Sequence, residues 1–302
     1  MKNNISLKTG LVGFVILSSA ITPLIYSWGD DGHQAIARVA VEKLPADMPE
    51  FFRSAASRLA FLSPEPDRWN DSMESFSALR EATGPDHFID IDSPETFQSL
   101  PDNRYKYAEW LRAKGQTPQV VGFLPYAMLE TYQKVQLSFR MWRDPQRAGD
   151  REQIEQNIVY YAGLLGHYVG DGANPLHTTL HYNGWTSSWN PDLFTREPIH
   201  SRFESEYVRA NLQAADFSGQ VKTAEKVPDV FYSVMRYLLD SYAQVPQLYQ
   251  LEKTARWEAN NRRPESKQFV AARLASASQM LANLWYSAYL GSTNLRPSAR
   301  RP

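Results

Sequence analysis

His167 and Asp171 lie four residues apart at the end of a helical run, in the segment GHYVGDGANPLH that spans Gly166 to His177. On a helix, side chains at that spacing leave the same face one turn apart, so an imidazole nitrogen and a carboxylate oxygen can reach one metal ion. Gly170, Gly172 and Pro175 are expected to break the helix and turn the chain before a third donor, His177. The segment HSRFE repeats the device, with His200 and Glu204 again four apart. A lone histidine is more often a hydrogen-bonded core or surface residue than a ligand. Here three of the six histidines fall within these two histidine–carboxylate pairs and the loop that connects them, and that pattern favours coordination.

Other nitrogen and oxygen donors lie upstream. The stretch WGDDGH carries Trp28 and His33, and cleavage before Trp28 would free an α-amine that can chelate a metal together with its own carbonyl. Asp67 follows Pro64 and Pro66, which end a short helix and are expected to leave it on a loop or turn. PDHFIDID carries His87 in a short apolar run flanked by acids. Together Trp28, His33, Asp67, His87, His167, Asp171, His177, His200 and Glu204 exceed what a single tetrahedral zinc needs.

The composition narrows the chemistry. The chain has no cysteine, which excludes disulfides and thiolate zinc sites, so any metal must be held by nitrogen and oxygen. Its formal charge is −1, and removal of Lys2 and Lys8 with residues 1–27 would take it to −3. That balance lacks the basic footprint of a protein that holds duplex nucleic acid through its phosphates alone. If the chain handles a phosphodiester, bound cations must supply the attraction.

These donors need elements to position them. Residues 1–27 read as a secretory signal peptide: Lys2 and Lys8, an apolar run from Leu11 to Ile25, then Ser27 at the cleavage point. Secretion or a periplasmic location is the expectation. Helices are expected from the Asp30–Asp31 region through Leu44, from Phe51 to Leu62, from Pro125 to Trp142, from Ile154 into His167, from Asp229 to Tyr242, and from Ser266 to Leu290 with Gly291 as the stop. Their apolar stripes, such as Met128, Tyr132, Val135 and Phe139, read as core. No alternating runs long enough for a sheet and no internal repeat occur. The reading is all-α, with one domain over residues 28–293 and a frayed tail at 294–302.

The motifs resemble those of the superfamily that unites S-one/P-one single-strand-specific nucleases with bacterial zinc-dependent phospholipase C. The resemblance runs from WGDDGH at Trp28 through HFID at His87, GHYVGDGANPLH and HSRFE to LANLW at Leu281, and five of the six histidines fall on motif positions. It implies a multi-helix fold around a cleft with three zinc ions. One ion would be held by Asp67, His87, His167 and Asp171. A neighbour would take the Trp28 amine and carbonyl, His33 and the other oxygen of Asp171, and the third would sit on His177, His200 and Glu204. Asp67 precedes His87 by twenty residues, more than the family spacing, and Asp71 is the alternative. Asp67 would also orient the nucleophilic water.

The resemblance leaves two substrates open. WGDDGH and the twenty-three residues from His177 to His200 follow the nuclease spacing, whereas Glu204 and HSRFE look phospholipase-like. The nuclease branch is favoured because the N-terminal spacing sets the metal pair. The expected activity is hydrolysis of single-stranded nucleic acid to 5′-phosphate products, with 3′-nucleotide phosphates as further substrates. A phospholipase C acting on glycerophospholipids is the alternative. Phe88 and Asp90 would line the substrate pocket as a stacking face and a hydrogen-bond acceptor for a base. His181 lies outside the motifs and is expected to support the site from behind the ligands. No protein partner is inferred.

Overall fold

The computed structural model describes residues 28–71, 73, 75–92, 97, 99–188 and 190–293. The signal peptide expected at 1–27 and the tail at 294–302 lie outside the described residues. Helices supply the regular structure: α1 (Gly29–Glu42), α2 (Glu50–Ser54), α3 (Ala56–Leu62), α4 (Glu65–Asn70), α5 (Ser77–Thr83), α6 (Arg104–Arg112), α7 (Pro118–Val121), α8 (Leu124–Arg143), α9 (Arg151–Ala173), α10 (Val208–Asn211), α11 (Val230–Tyr242), α12 (Val245–Thr254) and α13 (Pro264–Gly291). Among the described residues the only β-type pairings are two isolated antiparallel bridges, Ile89 with Gly122 and Trp185 with Thr195. The fold is all-α, and no helix among the described residues is long and apolar enough to cross a membrane.

The helix ends follow local chemistry. Asp229 caps α11 by accepting the Tyr232 N–H at 2.8 Å, and Asn103 caps α6 by accepting from Tyr105 and Lys106. Pro125 and Pro264 stand in the first turns of α8 and α13, where a missing N–H breaks no intrahelical bond.

Helix α9 is the axis of the molecule, packed against α1, α3, α8, α11 and α13. Its first half buries one stripe, Ile154 and Ile158, but from Ala162 to Ala173 every residue is buried, as expected of a helix enclosed on all sides. Around it lie Ile36, Val39 and Ala40 of α1, Val135 and Phe139 of α8, and Leu274, Leu281 and Trp285 of α13, all inaccessible to solvent. Each large aliphatic or aromatic side chain buried this way contributes about 1.5–3 kcal/mol, enough in sum to hold polar donors in the centre of the core.

Two expectations are corrected. Gly170 and Gly172 do not break α9, which continues to Ala173 before Asn174 leaves the helical region ahead of Pro175. These glycines are there for closeness: a Cβ at Gly170 would lie 2.6 Å from the His33 ring, and one at Gly172 would lie 2.7 Å from the Tyr237 ring. Asp67 is not on a loop either. Pro64 and Pro66 serve as the cap and an early position of the short helix α4, so they start a new helix as well as ending α3.

Candidate metal centre

Among the described residues three buried groups of histidine and carboxylate come together around the C-terminal half of α9, and each could hold a metal ion: His33, His167 and Asp171; Asp67, His87 and His167; and His177, His200 and Glu204. Helix α1 delivers His33, α4 delivers Asp67, and α9 delivers His167 and Asp171 one turn apart. His87 ends a short 3-10 turn (Gly84–His87), and His177 ends another (Pro175–His177). His200 opens a helical segment that widens into a π-helix over Arg202–Tyr207, so Glu204 sits on the distorted turn, a distortion frequent at functional sites.

The extended stretch from Phe88 to Ile91 ties these elements together. Ile89 N–H donates to His177 O at 2.9 Å, Ile91 N–H to Thr178 O at 3.0 Å, and Asp90 N–H to Val121 O at 2.8 Å. Gly122, at φ +93°, permits the approach, since a Cβ there would lie 1.9 Å from the Phe88 carbonyl oxygen.

In the first cluster His87 Nδ1 and His167 Nε2 are 2.9 Å apart, and they lie 3.1 and 3.2 Å from Asp171 Oδ2. Asp67 Oδ1 stands 3.7 Å from the first nitrogen and 3.6 Å from the second. Metal–ligand bonds of about 2.0–2.1 Å in a tetrahedron place donors roughly 3.3 Å apart, so these four atoms have the spacing of a zinc cage. Asp171 turns its other oxygen, Oδ1, toward His33 Nε2 at 3.5 Å, so one carboxylate serves two neighbouring groups. The His33 and His167 rings stack with centroids 4.3 Å apart.

In the second cluster His177 Nε2 and His200 Nε2 face each other at 3.1 Å, with Glu204 Oε2 at 3.5 and 2.9 Å from them. The other ring nitrogens are committed: His177 Nδ1–H donates to His87 O at 2.6 Å, and His200 Nδ1–H to Tyr182 O at 3.1 Å. A carbonyl can only accept, so each ring carries a proton on Nδ1, and in the tautomer with that proton alone the two Nε2 lone pairs point at each other. Glu204 Oε1 is also buried without a hydrogen-bond partner. Two facing lone pairs and an orphaned carboxylate oxygen fit a cation and little else. His167 is fixed in the same tautomer, its Nδ1–H donating to Ser63 O at 2.9 Å. His87 differs: the Asn70 amide nitrogen lies 2.8 Å from its Nε2 and 3.1 Å from Pro66 O. A metal on His87 Nδ1 would shift the ring proton to Nε2 and turn the Asn70 amide oxygen toward it.

Electrostatics agree with donor rather than proton chemistry. Burial pushes His167 down to about 3 against the pull of Asp171, and it pushes His200 down to about 4. Both imidazoles are therefore neutral and ready to coordinate at pH 7. Burial alone would raise Asp171, but the coulombic pull that His167 and His177 exert when protonated outweighs it and holds the carboxyl well below its ordinary range. Burial pushes Glu204 up to about 8 despite His177, so a bound cation would take the place of a proton there.

A cavity of about 520 Å³ opens beside the second cluster, lined by His177, His200, Phe88, Asp90, Arg80 and Tyr182 among others. Phe88 and Asp90 thus share one cavity with two of the metal-ligand candidates. Trp28 is fully buried at the start of α1, its indole N–H donating to Gly170 O at 2.7 Å, while the amine expected from cleavage depends on residues outside those described. Asp71 accepts the Met73 N–H at 2.6 Å and belongs to none of the three groups. His181 packs against Trp185 with ring centroids 4.2 Å apart and planes tilted by 31°, and it borders a different cavity, with Asp92. Sequence reading did not single out Ser63, Asn70 or Asn174, whose contacts orient the donors. Asn174 donates to Glu204 Oε2 at 3.1 Å, and only its place inside GDGANPLH could have drawn attention to it.

No family model matches the chain, and no curated protein matches it. Among solved structures it is similar to the alpha toxin from Clostridium absonum, with 18% identity and a TM-score of 0.46 over 88% of this chain and 65% of that one. It is also similar to a Clostridium perfringens alpha-toxin isolated from avian strain SWCP, with 19% identity and a TM-score of 0.43 over 91% of this chain and 68% of that one. The chain spans about two thirds of the length of these toxins.

Proposed function

We propose that this chain is a zinc-dependent hydrolase of phosphodiesters. The observation that carries the reading is the pair of facing imidazole lone pairs on His177 and His200, closed by Glu204 and opening onto a cavity of about 520 Å³. Zinc bound at such donors would polarise a phosphoryl oxygen and make a water acidic enough to attack near neutral pH.

The chain's own residues do the positioning. Asp171 holds its two oxygens toward different histidines, so it could serve two neighbouring metal ions if both groups are filled. Asp67 brings a carboxylate to the His87 and His167 nitrogens, where it is the candidate for orienting the attacking water. The carbonyls of Ser63, His87 and Tyr182 keep His167, His177 and His200 in the coordinating tautomer.

Two substrates suit the cavity. A single-stranded nucleic acid would lay a base on Phe88, and Asp90, which burial pushes up to about 8, would present both a donor and an acceptor to the base edge. A glycerophospholipid is supported at least as strongly, by the apolar wall of Pro85, Phe88, Val120 and Leu176 and by the exposure of Val120, at 66%, on that wall. An activity panel on metal-loaded protein, with single-stranded DNA, RNA, 3′-AMP and phosphatidylcholine side by side, distinguishes them. Release of 5′-phosphate products supports the nuclease, and release of diacylglycerol supports the phospholipase. Hydrolysis of none of the four would defeat the proposal.

A further inference from the structure

Helix α5 carries an arginine that the metal clusters leave unused. Arg80 lines the same cavity as His177 and His200, together with Glu81, Gly84 and Pro85 from the same segment. Its Nε is buried with no hydrogen-bond partner, and the side chain forms no ion pair among the described residues. A buried donor left unsatisfied costs about 1–3 kcal/mol, and a guanidinium is always charged. Arg273 Nε is likewise buried without a hydrogen-bond partner, but it does not line this cavity, and other half-buried arginines are paired. Arg104 binds Asp86 at 2.7 Å and Glu130 at 2.9 Å, and Arg202 binds Glu252 at 2.9 Å.

We infer that Arg80 is an anion-contacting residue, which holds a non-bridging oxygen of a phosphate group whose other oxygens face the His177, His200 and Glu204 donors. The inference rests on the proposed phosphodiester chemistry and adds to it a specific contact. The planar fork of Arg80 can give two parallel N–H bonds to a phosphate, where lysine offers only a point charge. Glu81 lines the same cavity but lies outside ion-pairing distance, so it does not satisfy the guanidinium. Asp90, the other acid on the wall, holds its proton up to about pH 8 and so adds little negative charge at neutral pH.

The position of Arg80 also explains a feature of the sequence. Asp67 and His87 are separated by twenty residues, and the intervening segment includes α5. The N–H of Arg80 donates to Phe76 O at 3.0 Å, so the backbone of Arg80 is held in the first turn of α5, beside the cavity that its side chain lines. The extra length between two ligand candidates thus has a use: it delivers a cation to the cavity wall.

The test is calorimetric titration of zinc-loaded protein with inorganic phosphate, for the natural chain, Arg80→Gln and Arg80→Lys, with zinc content and melting temperature measured on each. The expected result is a loss of phosphate affinity of about 10- to 100-fold in Arg80→Gln, a smaller loss in Arg80→Lys, and unchanged zinc content and melting. Equal affinity in Arg80→Gln, no phosphate binding by the natural chain, or zinc lost together with phosphate would each overturn the inference. Hydrolysis of bis(p-nitrophenyl) phosphate is followed in parallel. Hydrolysis by the natural chain with phosphate affinity insensitive to Arg80 removes the arginine contact and keeps the hydrolase. Phosphate binding that depends on Arg80, without any diester hydrolysis, does the reverse.

Discussion

The ring of His33 fills the space that a side chain at Gly170 would need, with Nδ1 and Cε1 both 2.6 Å from where its Cβ would stand. Alanine in a helix interior is normally favoured over glycine by about 1 kcal/mol. Here the added methyl must push an imidazole away from Asp171, and overpacking of this kind costs about 1–3 kcal/mol. Gly170→Ala should therefore lower both the melting temperature and the metal content. Gly149→Ala, where nothing lies within 4 Å of the new Cβ, is the control and should shift stability by less than about 0.5 kcal/mol. Equal behaviour of the two variants would mean that the His33 contact is not constrained.

Asp171 gives one oxygen to His33 and the other to His87 and His167, so its loss should empty two positions at once. Asp171→Ala is expected to retain only the ion at His177, His200 and Glu204. Removing one member of a buried charged cluster also costs about 3–5 kcal/mol. Elemental analysis of the folded variant checks the count, and retention of all but one ion would show that the carboxylate does not bridge.

Asp90 sets a pH dependence with a definite sign. Burial, reinforced by Asp92, pushes its carboxyl from 3.8 up to about 8. Between those values the folded chain keeps a proton that the unfolded chain has released, so the Asp90 contribution is complete below about pH 4 and is lost as pH rises through about 8. Asp90→Asn removes this titration. The variant should gain stability relative to the natural chain between pH 5 and pH 8, as read by melting curves with zinc present in both. Parallel curves across that range would place Asp90 in an ordinary solvated setting.

The helices were legible in the sequence where apolar stripes were long. The stripes through Met128 and Phe139, Ile154 and Leu165, and Leu274 and Leu284 each correspond to a helix of the structure. The ligand pairs were legible too, because a four-residue spacing on a helix leaves two donors little choice of direction. What stayed hidden depends on contacts between distant segments. Gly170 and Gly172 read as helix breakers because nothing local reveals that the rings of His33 and Tyr237 press against them. Asp67 read as a loop residue because Pro64 and Pro66 give the same signal for ending one helix and starting the next. The carbonyls of Ser63, His87 and Tyr182, which set the tautomers, carry no side-chain signature at all.

Whether the three buried groups hold catalytic metal is decided by elemental analysis of purified active protein, followed by chelation and readdition of zinc with hydrolysis of bis(p-nitrophenyl) phosphate as the readout. One zinc for each of the three groups is expected, with loss of hydrolysis on chelation and recovery when zinc returns. Undiminished hydrolysis by protein that contains no metal would contradict that expectation.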